Sequence, residues 1–321
     1  MDLEVLEIYF TVANKFSGKL WPISIVLIYT VGVVYSFKRR IFYQDESPIS
    51  RLVYIGTDLS YFISNVYQIL AYNFWKKKYW SEFLANLKLL KGRKIRKNLY
   101  YLLLFVINVL YVLTLCYAVY YWRQQYEDFW HRYTLSFIEN YCQFLYNCFH
   151  STLLLMILSR YQRLKAQLWQ NRYETVAHGM TVQKTTLFFF NRTFGVPIFL
   201  VLVFVQMQSV QDLSDIFYYK DTAQLVSLAL LMQLTQLVPA LFVIYLCGRV
   251  MEEQNKIRLI TFEMNKSFER DKNKLGDFVA LIRDAQVKIT AADFFILDKS
   301  TILKVLDTVV AFLMVVAQFQ D

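Results

Sequence analysis

The sequence predicts an all-α integral membrane protein with seven transmembrane helices, its N-terminus cytoplasmic and its C-terminus extracellular. Three observations carry that prediction. The chain of 321 residues is 56% hydrophobic and 18% aromatic. It holds several apolar stretches near the roughly 20 residues that cross a bilayer core. Its 35 Lys and Arg residues gather in alternate loops. With eight Gly, four Pro and no low-complexity run, the composition argues against disorder. A net charge of +10 suggests nucleic acid only until the loops are inspected. Positive loops of a membrane protein account for it, and no nucleic-acid partner is expected.

The spans fall at about 20–37, 54–75, 99–121, 133–158, 194–211, 224–247 and 301–319, and the whole of 1–321 reads as a single membrane domain. The first opens with Leu20-Trp21-Pro22, an interfacial Trp followed by a Pro in the first turn, where its missing N–H is harmless. Pro197 is expected near the start of the fifth span, and Pro239 inside the sixth, where it should bend the helix. Met1–Lys19 is acidic and the first apolar run is late and long, so no cleavable signal is expected. The N-terminus and the even loops carry 27 Lys and Arg, the odd loops seven. That asymmetry sets the orientation; only Lys38, Arg39 and Arg40 cut against it. A receptor coupled to G proteins has the opposite orientation. The sequons at Asn191 and Asn265 then fall inside and should be silent.

The inner side is the larger. Tyr161–Lys165 continues the fourth span as a basic helix, and 249–299 reads as cytoplasmic anchor helices and loop. There Phe278, Ile282, Ala285 and Ile289 share one helix face, whose packing under the membrane is favoured over lying on it because the opposite face mixes both signs of charge.

Two stretches carry the functional signal. In the fourth span Ser136, Glu139, Asn140, Gln143, Asn147 and His150 recur at helical spacing. Facing lipid they would cost several kcal/mol together, so they face the interior or an aqueous cavity. They form either a ligand-pocket wall opening outward or hydrogen-bonded glue between helices. Glu139, Gln143 and Ser136, with Tyr61 and Tyr117 from neighbouring spans, are the candidate ligand-binding residues. Tyr111, Tyr120, Tyr121, Trp122 and Tyr133 add aromatic rings at the same level, and Tyr120, Tyr121 and Trp122 read as interfacial belt. Asp58, Ser64 and Asn65 add polar groups in the second span. The second stretch is the closing one, Phe294–Phe319, where Ser300, Lys304, Asp307, Ala311 and Gln318 lie on one helix face. That face lines something, or packs on its own bundle. Lys304 and Asp307 either ring a pore entrance or neutralise each other at i,i+3.

Catalysis is not expected. His131, His150 and His178 are scattered, the four cysteines show no metal spacing, and there is no phosphate loop or nucleophile elbow. No cofactor or metal is called for.

Ala311-Phe312, five apolar residues, then Gln318-Phe319 resembles the closing signature of insect gustatory receptors, as do Phe294–Asp298, Tyr133–Tyr141 and Leu158–Tyr161. Ala311 and Phe312 replace the family's Thr and Tyr, removing two hydroxyls. The resemblance implies a multi-pass chemoreceptor of the sensory-neuron plasma membrane. It implies a ligand-gated non-selective cation channel related to insect odorant receptors and opened by a small-molecule tastant, with a bitter compound preferred. It further implies a homo- or hetero-tetramer in the lipid bilayer, with cations passing a central pore lined by the last helix. By the same resemblance Gln318 and Phe319 are the gate, with Phe312 and Val315 one and two turns inward. A seven-span receptor acting through cytoplasmic partners is the alternative.

Overall fold

The computed structural model describes residues 20–39, 48–90, 97–125, 129–218, 223–267 and 272–318. Each expected span falls on a helix. These are α1 (Leu20–Arg39), α2 (Pro48–Leu70), α4 (Lys97–Gln125), α5 (Phe129–Leu168), α6 (Tyr173–Tyr218), α7 (Ala223–Ser267) and α9 (Lys299–Gln318). Two shorter helices, α3 (Lys77–Leu89) and α8 (Lys272–Asp284), one π-helical turn (Ala71–Trp75) and two strands, β1 (Thr290–Ala291) and β2 (Phe295–Ile296), complete the described elements. Among the described residues, Phe105–Gln124, Ser136–Leu168, Tyr173–Leu213 and Val226–Asn265 are long and apolar enough to cross a membrane, and Pro22–Tyr35 is a shorter apolar stretch.

The helices run past their apolar parts. α6 begins at Tyr173, so Pro197 sits inside it and not in a first turn, which corrects the expected boundary. In the preceding stretch Thr186 donates to the Val182 carbonyl, one turn back, at 2.8 Å. α5 likewise continues through the basic segment to Leu168.

α2 gives way to one π-helical turn, Ala71–Trp75, where the Lys76 N–H reaches back to the Ala71 carbonyl at 2.7 Å. α3 follows. Its Trp80, Phe83 and Leu87, at offsets of three and four, are buried on one side. Trp80 and Phe83 meet Phe194 of α6 edge-on at 5.5 and 5.6 Å. The buried Arg160 of α5 closes the helix end, donating to the Leu90 carbonyl at 2.8 Å and to that of Leu87. A guanidinium suits that position, because the last carbonyls of a helix lack partners and carry partial negative charge.

One large apolar core joins α3, the C-terminal part of α5, the N-terminal part of α6, the C-terminal part of α7, α8, the hairpin and the base of α9. Phe278 and Ile282 of α8 enter it as the periodicity required, with Tyr173 edge-on to Phe278 at 5.6 Å. α8 ends at Asp284; Ala285, whose N–H still donates to the Leu281 carbonyl at 2.9 Å, lies in its closing turn, and Ile289 reaches the same core from the irregular segment beyond the helix.

β1 and β2 pair antiparallel through Ala291↔Phe295, with Ala292 and Asp293 at φ 52° and 62°. Asn191 of α6 grips the hairpin: its amide donates to the Lys288 carbonyl at 2.8 Å and accepts from the Thr290 N–H at 3.3 Å. Gly195, one turn on, permits the approach, since a Cβ there would meet Ala292 N at 3.1 Å and Thr290 O at 3.3 Å. The chain then enters α9 through Asp298, whose carboxylate accepts from the Ser300 hydroxyl at 2.6 Å and the Thr301 N–H at 3.1 Å. The Ser300 hydroxyl first, then Thr301, holds that carboxyl below its ordinary range.

Candidate functional site

The polar face of α5 is the centre of a network that reaches five other helices. Glu139, 4% exposed, accepts from the Tyr29 hydroxyl of α1. Asn65 of α2 donates to the same hydroxyl at 3.1 Å and accepts from Gln143 at 3.2 Å. Gln143 also donates to Ser64 at 3.0 Å, and Gln68 donates to Ser64 at 3.1 Å. On the other side of α5, Asn140 accepts from Tyr61 of α2 and, at 3.0 Å, from Gln236 of α7. Gln236 donates in addition to Tyr111 of α4 at 2.6 Å. Tyr61 lies 3.0 Å from Gln208 of α6, which donates to Asp212 at 2.5 Å. Gln233 of α7 donates to Asp212 at 2.8 Å and accepts from Ser209 at 2.8 Å. Such closure is what low dielectric demands, because an unpaired polar group there is costly.

Three of the five candidate ligand residues therefore meet around α5: Glu139, Gln143 and Tyr61. Ser136 sits one turn from Glu139 on α5 and is half-buried. Tyr117 stands apart, 3.3 Å from Ser227, beside the small cluster of Ala118, Tyr121 and Leu228. Tyr61 and Tyr111 are core residues, whereas Tyr120 is 63% exposed, as an interfacial ring is. Tyr121, expected in the belt, is buried. The Tyr133 side chain lies outside the described residues. Gln143 Oε1 and Gln236 Oε1 have no hydrogen-bond partner among the described residues, so the network keeps unused bonding capacity. His150 packs against Phe194, 5.4 Å between rings, with Tyr72 at 3.4 Å.

Tyr29, Gln208, Asp212, Gln233 and Gln236 were not singled out from the sequence. Their signal was present, as polar side chains inside apolar spans, with Gln208 and Asp212 four residues apart on one helix face.

α9 is arranged in the opposite sense. Thr301, Val305 and Val309 are buried against α6 and α7, while Ser300, Lys304, Asp307, Ala311 and Gln318 are all exposed. The polar face is turned away from the chain's own bundle. Of the candidate gate residues, Gln318 is exposed, Phe312 is 48% and Val315 46% exposed, and Phe319 lies outside the described residues. At about 100° per residue Phe312 stands about 120° around the helix from Gln318, with Val315 midway. Lys304 and Asp307 make no ion pair among the described residues.

The base of α9 borders a polar cleft of about 470 Å3 lined by Gln254, Asn255, Lys288, Asp298, Lys299 and others. Lys299 pairs with Glu252 of α7 at 2.5 Å, and Glu252 with Arg249 at 3.0 Å. Glu253 takes Lys165 of α5 and Lys256. Among the described residues no group of three His, Cys, Asp or Glu is placed to hold a metal.

No curated protein matches the chain. Residues 190–321, from the hairpin-gripping turn of α6 through α9, match the family model described as 7tm Chemosensory receptor, a likeness of that part of the chain that is consistent with the gustatory receptor resemblance of its closing residues.

Proposed function

We propose that the protein is a gustatory receptor acting as a ligand-gated, non-selective cation channel, a tetramer whose four copies of α9 surround one pore. The observation that carries this reading is the exposed polar face of α9. Ionisable and amide groups facing hydrocarbon are costly, and the face opposite is already occupied by α6 and α7. Further copies around water satisfy Asp307 and Gln318 where the chain's own helices do not. The seven helices cross the bilayer with the N-terminus inside, as the 27-to-seven loop asymmetry argues. The ligand, a small-molecule tastant such as a bitter compound, binds at Glu139, Gln143, Tyr61, Ser136 and Tyr117.

In the gate, rings of Phe319 close the pore by dewetting. Opening turns Gln318 inward, whose amides replace part of an ion's hydration, with Val315 and Phe312 deeper. The test is current from purified protein in a planar bilayer. Phe319→Ala should leak without ligand and Gln318→Leu should reduce current. A purified protein that binds ligand but passes no current sinks the channel and favours a receptor acting through cytoplasmic partners.

A further inference from the structure

Beyond Glu139, α2 and α5 are joined by two rungs. Gln143 donates to Ser64 at 3.0 Å, and Tyr72, in the π-helical turn, lies 3.4 Å from His150. Gln68 stands four residues from both Ser64 and Tyr72; Asn147 stands four from Gln143 and three from His150. Those offsets keep each series on one helix face, so Gln68 and Asn147 face each other between the rungs. Both are at most 1% exposed.

The facing pair does not bond. Gln68 Oε1 and Asn147 Nδ2 have no hydrogen-bond partner among the described residues, and neither has Gln143 Oε1 at the first rung. The direction of the bonds fixes which atoms are left over. The Glu139 carboxylate accepts from Tyr29, so Tyr29 accepts from Asn65 and Asn65 from Gln143, which leaves the Gln143 carbonyl spare. Gln68 spends its amide N–H on Ser64 at 3.1 Å, which leaves its carbonyl spare as well. Orphaned polar atoms are costly in low dielectric. An acceptor and a donor that face each other unbonded across a helix interface therefore mark room for a group that bridges them.

We propose that this gap is the polar end of the ligand site and takes one neutral hydroxyl group, so that the ligand is an uncharged alcohol. The hydroxyl donates to the Gln68 or Gln143 carbonyl and accepts from Asn147 Nδ2, one oxygen serving both sides. An ammonium cannot accept from Asn147. An ether or a carboxylate cannot donate to the carbonyls, and a carboxylate also meets Glu139, one turn along α5 from Gln143. A lone water can bridge the same atoms, and the alcohol binds by displacing it. The inference deepens the reading that a small molecule binds at Gln143, and rests on it.

Saturation-transfer NMR of the purified full chain in detergent tests it with three probes that share one ring: benzyl alcohol, benzyl methyl ether and benzylamine. Wild type should bind the alcohol saturably and about tenfold more tightly than either analogue, the order of one hydrogen bond to a buried partner. Asn147→Leu and Gln68→Met should each abolish that preference. Without probe, Asn147→Leu should unfold at or above the wild-type midpoint, because it removes a buried donor that had no partner. A residue held there for structure would lower it. The proposal is overturned by an alcohol that does not bind wild type, by equal affinity for alcohol and ether, by a preference that survives in either variant, or by a lowered midpoint in Asn147→Leu. Alcohol binding kept in both variants and lost in Glu139→Gln overturns this inference alone and leaves the ligand site at Glu139 standing. Binding indifferent to all three variants removes both.

Discussion

α5 and α9 carry the same kind of message in sequence, an apolar helix with one polar face, and the fold treats them oppositely. Glu139, Asn140, Gln143, Asn147 and His150 are all at most 6% exposed, and helices of the same chain surround them. Ser300, Asp307, Ala311 and Gln318 are all exposed. A polar stripe in such a helix states that lipid is not its neighbour. It does not state what is. α5 finds its neighbours in α1, α2, α4, α6 and α7; α9 buries Thr301, Val305 and Val309 against α6 and α7 and pairs Lys299 with Glu252, while most of its other described side chains are exposed.

The sharpest way to break the contrast is Asn140→Leu. It removes the acceptor shared by Tyr61 and Gln236 and leaves buried donors behind, at a cost of about 2–3 kcal/mol. Thermal unfolding of the purified protein in detergent should drop by several degrees. An unchanged midpoint would show that this face is not what ties the helices together. Val305→Ala probes the other helix. Losing two buried methyl groups costs roughly 1–2 kcal/mol and should raise hydrogen exchange at the base of α9 while sparing α5.

Asp298 gives a smaller, pH-dependent effect. Its folded carboxyl lies below the unfolded value near ~3.9, so its contribution is complete above that value and is lost as pH falls through the lowered one. Protection of the Thr301 amide should be flat from neutral pH down to ~4.5 and fall below it. Asp298→Asn should flatten the acid limb, and Asp298→Ala should lose about 1 kcal/mol near neutral pH, a difference that shrinks as the wild-type carboxyl is protonated in acid. A wild-type amide insensitive to acid would remove Asp298 as the cap.

The smallest stability effect belongs to Asp307→Asn, within ~0.5 kcal/mol, because the side chain is exposed and pairs with none of the described residues. Its cation current should nonetheless fall. Unchanged conductance and selectivity would place Asp307 away from any pore.

Helix positions were legible because long apolar stretches and helical spacing are local properties. The end of α8 was not, since Ile289 continues the apolar period of Phe278, Ile282 and Ala285 although the helix has closed at Ala285 and the chain runs on irregularly to the hairpin. Pro197 misled in the same manner. A Pro marks a first turn only when nothing helical precedes it, and here the inner part of α6 does. α3 went unseen among the lysines of its loop, though Trp80, Phe83 and Leu87 held the spacing. At the site, α5 announced itself, and so did Tyr61. Its partners did not, because single Gln and Asp residues in α6 and α7 gain meaning only when helices distant in sequence bring them to Asn140 and Tyr61.

Asn191 and Gly195 hold the hairpin from the same helix that, some 13 residues further on, sends Gln208 and Asp212 into the polar network. That separation is about 20 Å of continuous α6. The helix is thus a beam clamped at two stations, one against the polar heart of the bundle and one against the three-residue lead-in to Asp298. Pro197, which cannot donate to the turn before it, sits two residues beyond the lower clamp, so the beam's compliance is concentrated where it meets the hairpin. With no gap at Gly195, whatever bending Pro197 does not absorb passes to the hairpin and so to the foot of α9.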